Sequence, residues 1–212
     1  CHISLSNAGR GRLMAARLFF AFTVESMLIM PSLAYATSGK FQWQDRLRFA
    51  RFSRSEYYEA EMECASGQET LDVKVEKGLD APYLVGATSS TTPYIYQRKQ
   101  AHIKRDHADI CILHYMVSGS MRTSHYGIRA EVSAGQFIIF RSNSPYVLEY
   151  EPGVPGERAM IYASLPPDFV LRHFSGRPIF GHAIVPQEED PRIAGKLVSF
   201  ILQYDAHLAV EV

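Results

Sequence analysis

No charge of either sign dominates this chain. Its 22 Lys and Arg balance 22 Asp and Glu, for a formal net charge of +0. A balanced chain projects no global field toward nucleic acid, an anionic membrane or an acidic substrate. Cysteine is equally sparse. Cys1, Cys64 and Cys111 are too few and too scattered for a disulfide framework or a zinc site, and the count suits a reducing compartment. Cys111 lies inside an apolar strand pattern and is expected to be a core thiol. Long hydrophobic runs are missing too. The apolar stretch 18–30 is short for a membrane span. It also contains Glu25, and a charge at such a position costs ~2.5 to 3.5 kcal/mol on insertion scales. Arg10, Arg12 and Arg17 before it, with Ala34 and Ala36 after it, imitate a secretory signal. The reading adopted here is a leader or loosely ordered arm over residues 1–39.

Catalytic signatures are absent as well. There is no G-x-S-x-G elbow for a nucleophilic serine and no Gly-rich phosphate loop before a helix. No His-x-His pair appears among His102, His107, His114 and His125. His102 and His107 are five apart, which on a strand sends them to opposite faces. No catalytic residue, no metal and no cofactor is therefore expected. The carboxylates Glu188, Glu189 and Asp190 suit a helix start, where the dipole favours them.

What is present is an ordinary globular composition, 47% hydrophobic and 21% charged over 212 residues. That is enough for one domain with appendages or two small ones. The stretch 41–61 is expected to be helical, with Trp43, Leu47 and Ala50 on one face at i, i+4, i+7. Arg46, Arg48, Arg51 and Arg54 sit around the other faces as a solvated basic cluster. Residues 71–76 alternate as a half-buried strand before turns at Lys77-Gly78 and 80–82. Further strands are expected over 83–87 and from Tyr94, and 97–109 is read as a strand followed by a loop.

From residue 110 the pattern becomes regular. Strands are expected over 110–117, 121–125, 128–132, 137–140, 146–150 and 158–165. The turns between them are Ser118-Gly119-Ser120, Tyr126-Gly127, Ala134-Gly135 and Ser144-Pro145. Such spacing argues for a sandwich or barrel. Strand 137–140 is apolar throughout and so is expected to be buried on both faces. A proline-started helix follows at Pro167, then a short extended piece over 179–185. A longer helix opens at Asp190-Pro191, and its apolar stripe is Ile193, Leu197, Phe200, Ile201, Tyr204 and Leu208.

This ordered set, from Tyr115 through Gly119, Gly127, Gly135 and Pro145 to Leu165-Pro166-Pro167 and Phe174, resembles the cupin-like ligand-binding domain of AraC-type transcription regulators. Gln136 stands where cupin-type turns often carry an acid, so the module reads as a diverged member. The resemblance implies a fold that is mainly β with flanking helices (α+β): a cupin-like β-barrel or jelly roll followed by C-terminal helices. It implies an effector-binding domain over 40–186 and a linker or dimerisation helix over 187–212. A helix-turn-helix region would lie further on, and the chain stops short of it. The implied partners are a small-molecule effector, a second copy of the chain through the 193–208 stripe, and DNA only through that further region. No membrane partner is implied, and the setting is cytoplasmic.

Strand alternation sets Ile110, Ile112, His114 and Met116 on one face of 110–117 and Cys111, Leu113, Tyr115 and Val117 on the other. The face with His114 mixes apolar groups with one polar group, as a pocket wall should. The candidate ligand-binding residues are Tyr94, Tyr96, His114, Phe140, Tyr146 and Tyr162, with His125 as a further candidate. Two other readings stay open: a small metal-dependent cupin enzyme, and a secreted β-sandwich binding protein cleaved after Ala36.

Overall fold

The computed structural model describes residues 32–79, 85–153, 158–174 and 178–185. In chain order the elements are β1 (Ser32–Thr37), α1 (Trp43–Glu56), β2 (Glu61–Cys64), β3 (Val73–Leu79), β4 (Val85–Ser90), β5 (Tyr94–Arg98), α2 (Gln100–Asp106), β6 (Cys111–Met116), β7 (Ser120–His125), β8 (Ile128–Ser133), β9 (Phe137–Arg141), β10 (Tyr146–Glu151), β11 (Arg158–Leu165) and α3 (Pro167–His173). The fold is mainly β. Six strands form one antiparallel sheet in the order β1-β3-β4-β11-β6-β9, and five form a second in the order β2-β5-β10-β7-β8. The chain crosses repeatedly from sheet to sheet, and the two inner faces bury one core between them. Among the described strands the sheets stay separate, so the expected closed barrel is an open two-sheet sandwich.

The strands from residue 110 onward follow from local chemistry. β7 and β8 pair from His125↔Ile128 to Ser120↔Ser133, joined by Tyr126 and Gly127. Both turn residues have positive φ, 51° and 76°. That is the pairing a two-residue type I′ hairpin demands. Along β7 burial alternates, with Met121, Thr123 and His125 inward. β10 does likewise with Tyr146, Leu148 and Tyr150. β9 is buried on both faces, as its apolar run required. It lies at a sheet edge, yet its outer face is covered. Phe137 bridges Ile184 and Ile139 bridges Phe180, and Cys111, Leu113, Leu165, Val170 and Phe174 complete a second small core there. Cys111 is thus a fully buried free thiol, and desolvation pushes its pKa up to about 12.

Four expectations are corrected. Ser32–Thr37, assigned above to a leader, is β1, paired along β3 from Ser32↔Lys77 to Thr37↔Val73. Cleavage after Ala36 would sever that strand. Residues Lys77 and Gly78 do not turn the chain; β3 continues through them with a register shift between Lys77 and Leu79. The buried face of α1 is also not Trp43, Leu47 and Ala50. Trp43 is 67% exposed and Leu47 39%, while Phe49 and Ser53 are buried. Two apolar sets on this helix share similar spacing, and aromatic packing decides between them. Phe49 meets Tyr35 edge-on at 5.2 Å and Tyr96 at 5.9 Å, and Phe52 stacks on Tyr35 at 5.6 Å.

The fourth correction is α2, which falls inside the segment read as strand then loop. Seven residues of polar sequence cannot hold a helix alone. Tertiary bonds hold this one. The Lys99 N–H donates to His102 Nδ1 at 3.1 Å, and His102 Nε2 lies 3.0 Å from Glu61 on β2. At the other end Asp106 grips Arg98, which is 1% exposed. Arg98 donates from Nη1 and Nη2 to the two carboxylate oxygens at 2.7 and 2.6 Å. Nη1 also donates to the carbonyl of Glu59 and Nε to that of Ser142, both at 2.6 Å. This node ties α2, the approach to β2 and the β9–β10 loop to the end of β5. No helix among the described residues is long and apolar enough to cross a membrane. The stripe Ile193, Leu197, Phe200, Ile201, Tyr204 and Leu208 lies outside the described residues, as does the whole of the linker or dimerisation helix expected over 187–212.

Candidate functional site

Between the sheets, under α1, lies a cavity of about 60 Å³. Its lining comes from both sheets and from the helix. α1 and the segment after it supply Phe49, Phe52, Tyr57 and Tyr58; β5 supplies Tyr94 and Tyr96; β6 supplies Ile112 and His114; β10 and β11 supply Tyr150 and Tyr162. Methionines 62, 121 and 160 fill the intervals. None of the described lining residues carries a formal charge. Their alternation is what puts them there. Tyr94 and Tyr96 stand two apart on β5, and Tyr162 lies directly across from His114 in the β6–β11 register.

The polar groups in this wall are unevenly satisfied. The Tyr57 hydroxyl donates to the Tyr162 hydroxyl at 2.6 Å. The hydroxyls of Tyr58 and Tyr146 share a short hydrogen bond just behind the wall. Burial raises the pKa of Tyr57, Tyr94 and Tyr162 well beyond the ordinary phenol value, so these hydroxyls stay protonated at neutral pH. His114 is 7% exposed, and its Nδ1 has no hydrogen-bond partner among the described residues. Desolvation lowers its pKa to about 4, so the ring is neutral. It packs edge-on against Phe140 at 5.4 Å and tilts toward Tyr162 at 6.4 Å. A buried polar atom left unpaired costs about 1–3 kcal/mol.

Of the residues read from sequence as ligand-binding, Tyr94, Tyr96, His114 and Tyr162 line this cavity. Phe140 and Tyr146 do not. They stack on each other at 5.1 Å in the layer behind, where Phe140 buttresses His114 and Tyr146 holds Tyr58. His125 is further away still. Its Nε2 is 3.3 Å from the Arg141 carbonyl and its ring lies against Tyr126 and Phe180. The sequence reading missed Phe49, Phe52, Tyr57 and Tyr58. Phe49 and Phe52 at i, i+3 do mark a second aromatic face on the same helix, which was the available signal. No cluster of three or more His, Cys, Asp or Glu that could hold a metal occurs among the described residues.

No protein-family profile matches the chain, and no curated protein sequence matches it. Solved structures do. The chain is similar to the AraC-like transcriptional activator CuxR, with a TM-score of 0.54 and 13% identity over 84% of this chain and 60% of that one. It is similar over shorter stretches to the Clostridium difficile EutQ protein, with a TM-score of 0.34, 15% identity, and 49% and 75% of the two chains covered. An RmlC-like cupin from Shewanella frigidimarina gives 0.32 and 13%, over 52% and 89%. The chain thus spans about 60% of the length of CuxR. The likeness to CuxR is one of fold, a mainly β domain.

Proposed function

We propose that this chain is the effector-sensing part of an AraC-type transcription regulator, which binds a small molecule between its sheets and does no chemistry on it. The observation that carries the reading is the inter-sheet cavity, with aromatic walls and the neutral imidazole of His114 among them. An apolar pocket with a few convergent polar groups is the ordinary form of a small-molecule site. The shared fold with CuxR supports the regulatory half of the proposal. In that reading the chain works in the cytoplasm as a homodimer. The effector shifts a population between two arrangements of sandwich, linker helix and dimer, by as much as its affinities for them differ. DNA is read by a helix-turn-helix region joined to this part.

The binding half is tested by thermal unfolding against a panel of small uncharged molecules. A midpoint that rises with ligand concentration is expected, because anything that binds only the native state stabilises it by mass action. A flat response across the panel would count against it. Elemental analysis of the purified protein separates this reading from a metal-dependent enzyme, since stoichiometric transition metal would favour the enzyme. The regulatory half is tested by the reading frame. Two helix-turn-helix patterns in frame after Val212 are expected, and an unrelated sequence there would remove it.

A further inference from the structure

We infer that the ligand class of this cavity is a phenol: a single flat, uncharged ring held between aromatic walls, its hydroxyl hydrogen-bonded to the imidazole of His114. The inference rests on the binding reading above and names the chemistry of that same site.

Charge is the first discriminant. With no ionic side chain in the described lining, a carboxylate or ammonium ligand would be buried without a counter-ion, which is strongly unfavourable. The nearby ions are already engaged elsewhere. Arg98 lies over Tyr58, 4.6 Å from the ring centroid, with its donors committed to Asp106, Glu59 and Ser142. Lys77 pairs with Glu56 at 2.5 Å.

The second discriminant is the group that His114 needs. A neutral imidazole nitrogen either donates or accepts, depending on the tautomer. A hydroxyl satisfies both cases, whereas a carbonyl or an ether satisfies only one. Tyr57 and Tyr162 are already paired with each other across the cavity wall, so that pair makes no demand on the ligand.

Size sets the upper bound and shape the ring chemistry. About 60 Å³ is less than the ~150 Å³ in which an engineered apolar cavity takes benzene. Fused rings are therefore too large, and one ring is an upper limit that still requires the wall to yield. The lining side chains best able to repack are Met62, Met121 and Met160, whose unbranched thioethers adapt readily and contact aromatic rings favourably. The rest of the wall is rings that already meet by stacking and edge contacts, as Tyr94 and Tyr150 do at 5.0 Å. A flat ring joins such an array by offset or edge-on packing.

The test compares phenol, toluene, cyclohexanol, benzoate and benzylammonium as probes on the full chain, by thermal shift and titration. Phenol is expected to bind about five- to tenfold more tightly than toluene, the increment of one hydrogen bond. Cyclohexanol should bind more weakly than phenol, and the two ions should give no shift. In His114→Phe the preference for phenol over toluene should fall to about one. Should that variant not fold, ¹⁵N NMR of the wild-type histidines provides the same readout, because phenol should move the His114 ring nitrogens. Preferential binding of benzoate or benzylammonium, or equal binding of phenol and toluene, would overturn the ligand class and leave the binding reading standing. No response to any probe, with xenon under pressure also failing to enter the cavity, would overturn both.

Discussion

Replacing Asp106 by Asn removes the counter-charge from a guanidinium that has almost no contact with water. Arg98 is 1% exposed, and its side chain makes four short hydrogen bonds, two of them to Asp106. The Asp106 carboxylate also accepts from the backbone N–H of Glu59 at 2.7 Å and of Ala108 at 3.0 Å. Desolvation pushes its pKa upward, but hydrogen bonds from Arg98, Ala108 and Glu59 outweigh it and hold the carboxyl far below its usual range. Asn is nearly isosteric, so the loss is of charge and of acceptors, not of volume. Breaking a buried pair by altering one partner costs ~3–5 kcal/mol, a large share of the ~5–15 kcal/mol that holds a typical domain together. With a urea slope of ~1–3 kcal/mol/M, the unfolding midpoint should fall by about 2 M. Replacing both partners, Arg98→Met with Asp106→Leu, should recover only part of this, because the carbonyls of Glu59 and Ser142 would lose their donors as well. The assay is urea unfolding followed by far-UV circular dichroism and by tyrosine fluorescence, with coincident curves required. A midpoint shift below about 0.5 M for Asp106→Asn would refute the reasoning, since at such slopes the node would carry no more than an exposed pair.

The remaining expectations are of different kinds. His114 and His125 both have pKa values lowered to about 4, in each case chiefly by desolvation. The unfolded chain therefore takes up protons near pH 6.5 that the native state refuses, so stability should fall as pH drops from about 6.5 to 4 and these two groups should add nothing further below that. The depressed Asp106 adds a separate loss below its unfolded pKa of about 4. Equilibrium unfolding across pH 3–8 checks both windows, and a flat profile between pH 6.5 and 4 would contradict the histidine part. Gly119→Ala should destabilise by about 2–4 kcal/mol in chemical denaturation. Its φ is +77°, and a Cβ there would meet the Glu151 carbonyl and the Gly153 nitrogen, so backbone strain and overpacking add. Cys111 should resist a thiol reagent in native protein and react only on unfolding, while the partly exposed Cys64 labels first. Labelling followed by peptide mass spectrometry distinguishes the two.

The part of the fold legible in the sequence is the part governed by local rules. Tyr126-Gly127 announced a hairpin because few dipeptides accept two positive φ values, and 146–150 alternated because one sheet face is wet. His114 could be placed on the inner face of β6 by parity alone. Legibility failed where tertiary contacts decide. α2 exists because His102 reaches Glu61 and Asp106 reaches Arg98, partners 41 and 8 residues away. On α1 the exposed Trp43 outweighed Phe49 in a reading based on hydrophobicity, though aromatic neighbours on β1 and β5 select Phe49. The same limit explains the site. Strand parity offers Tyr146 and Tyr162 equally, and only the facing sheet determines that Tyr162 reaches the cavity while Tyr146 backs it.

The most direct measurement is calorimetric titration of phenol into the wild-type chain and into Ile112→Phe. Ile112 is 3% exposed and lines the cavity, so a larger ring at that position fills the space while keeping an apolar wall. Saturable one-to-one binding to the wild type is expected, with none to a folded Ile112→Phe. Equal binding by both proteins would place the ligand elsewhere and contradict the claim that the space between the sheets is the recognition site.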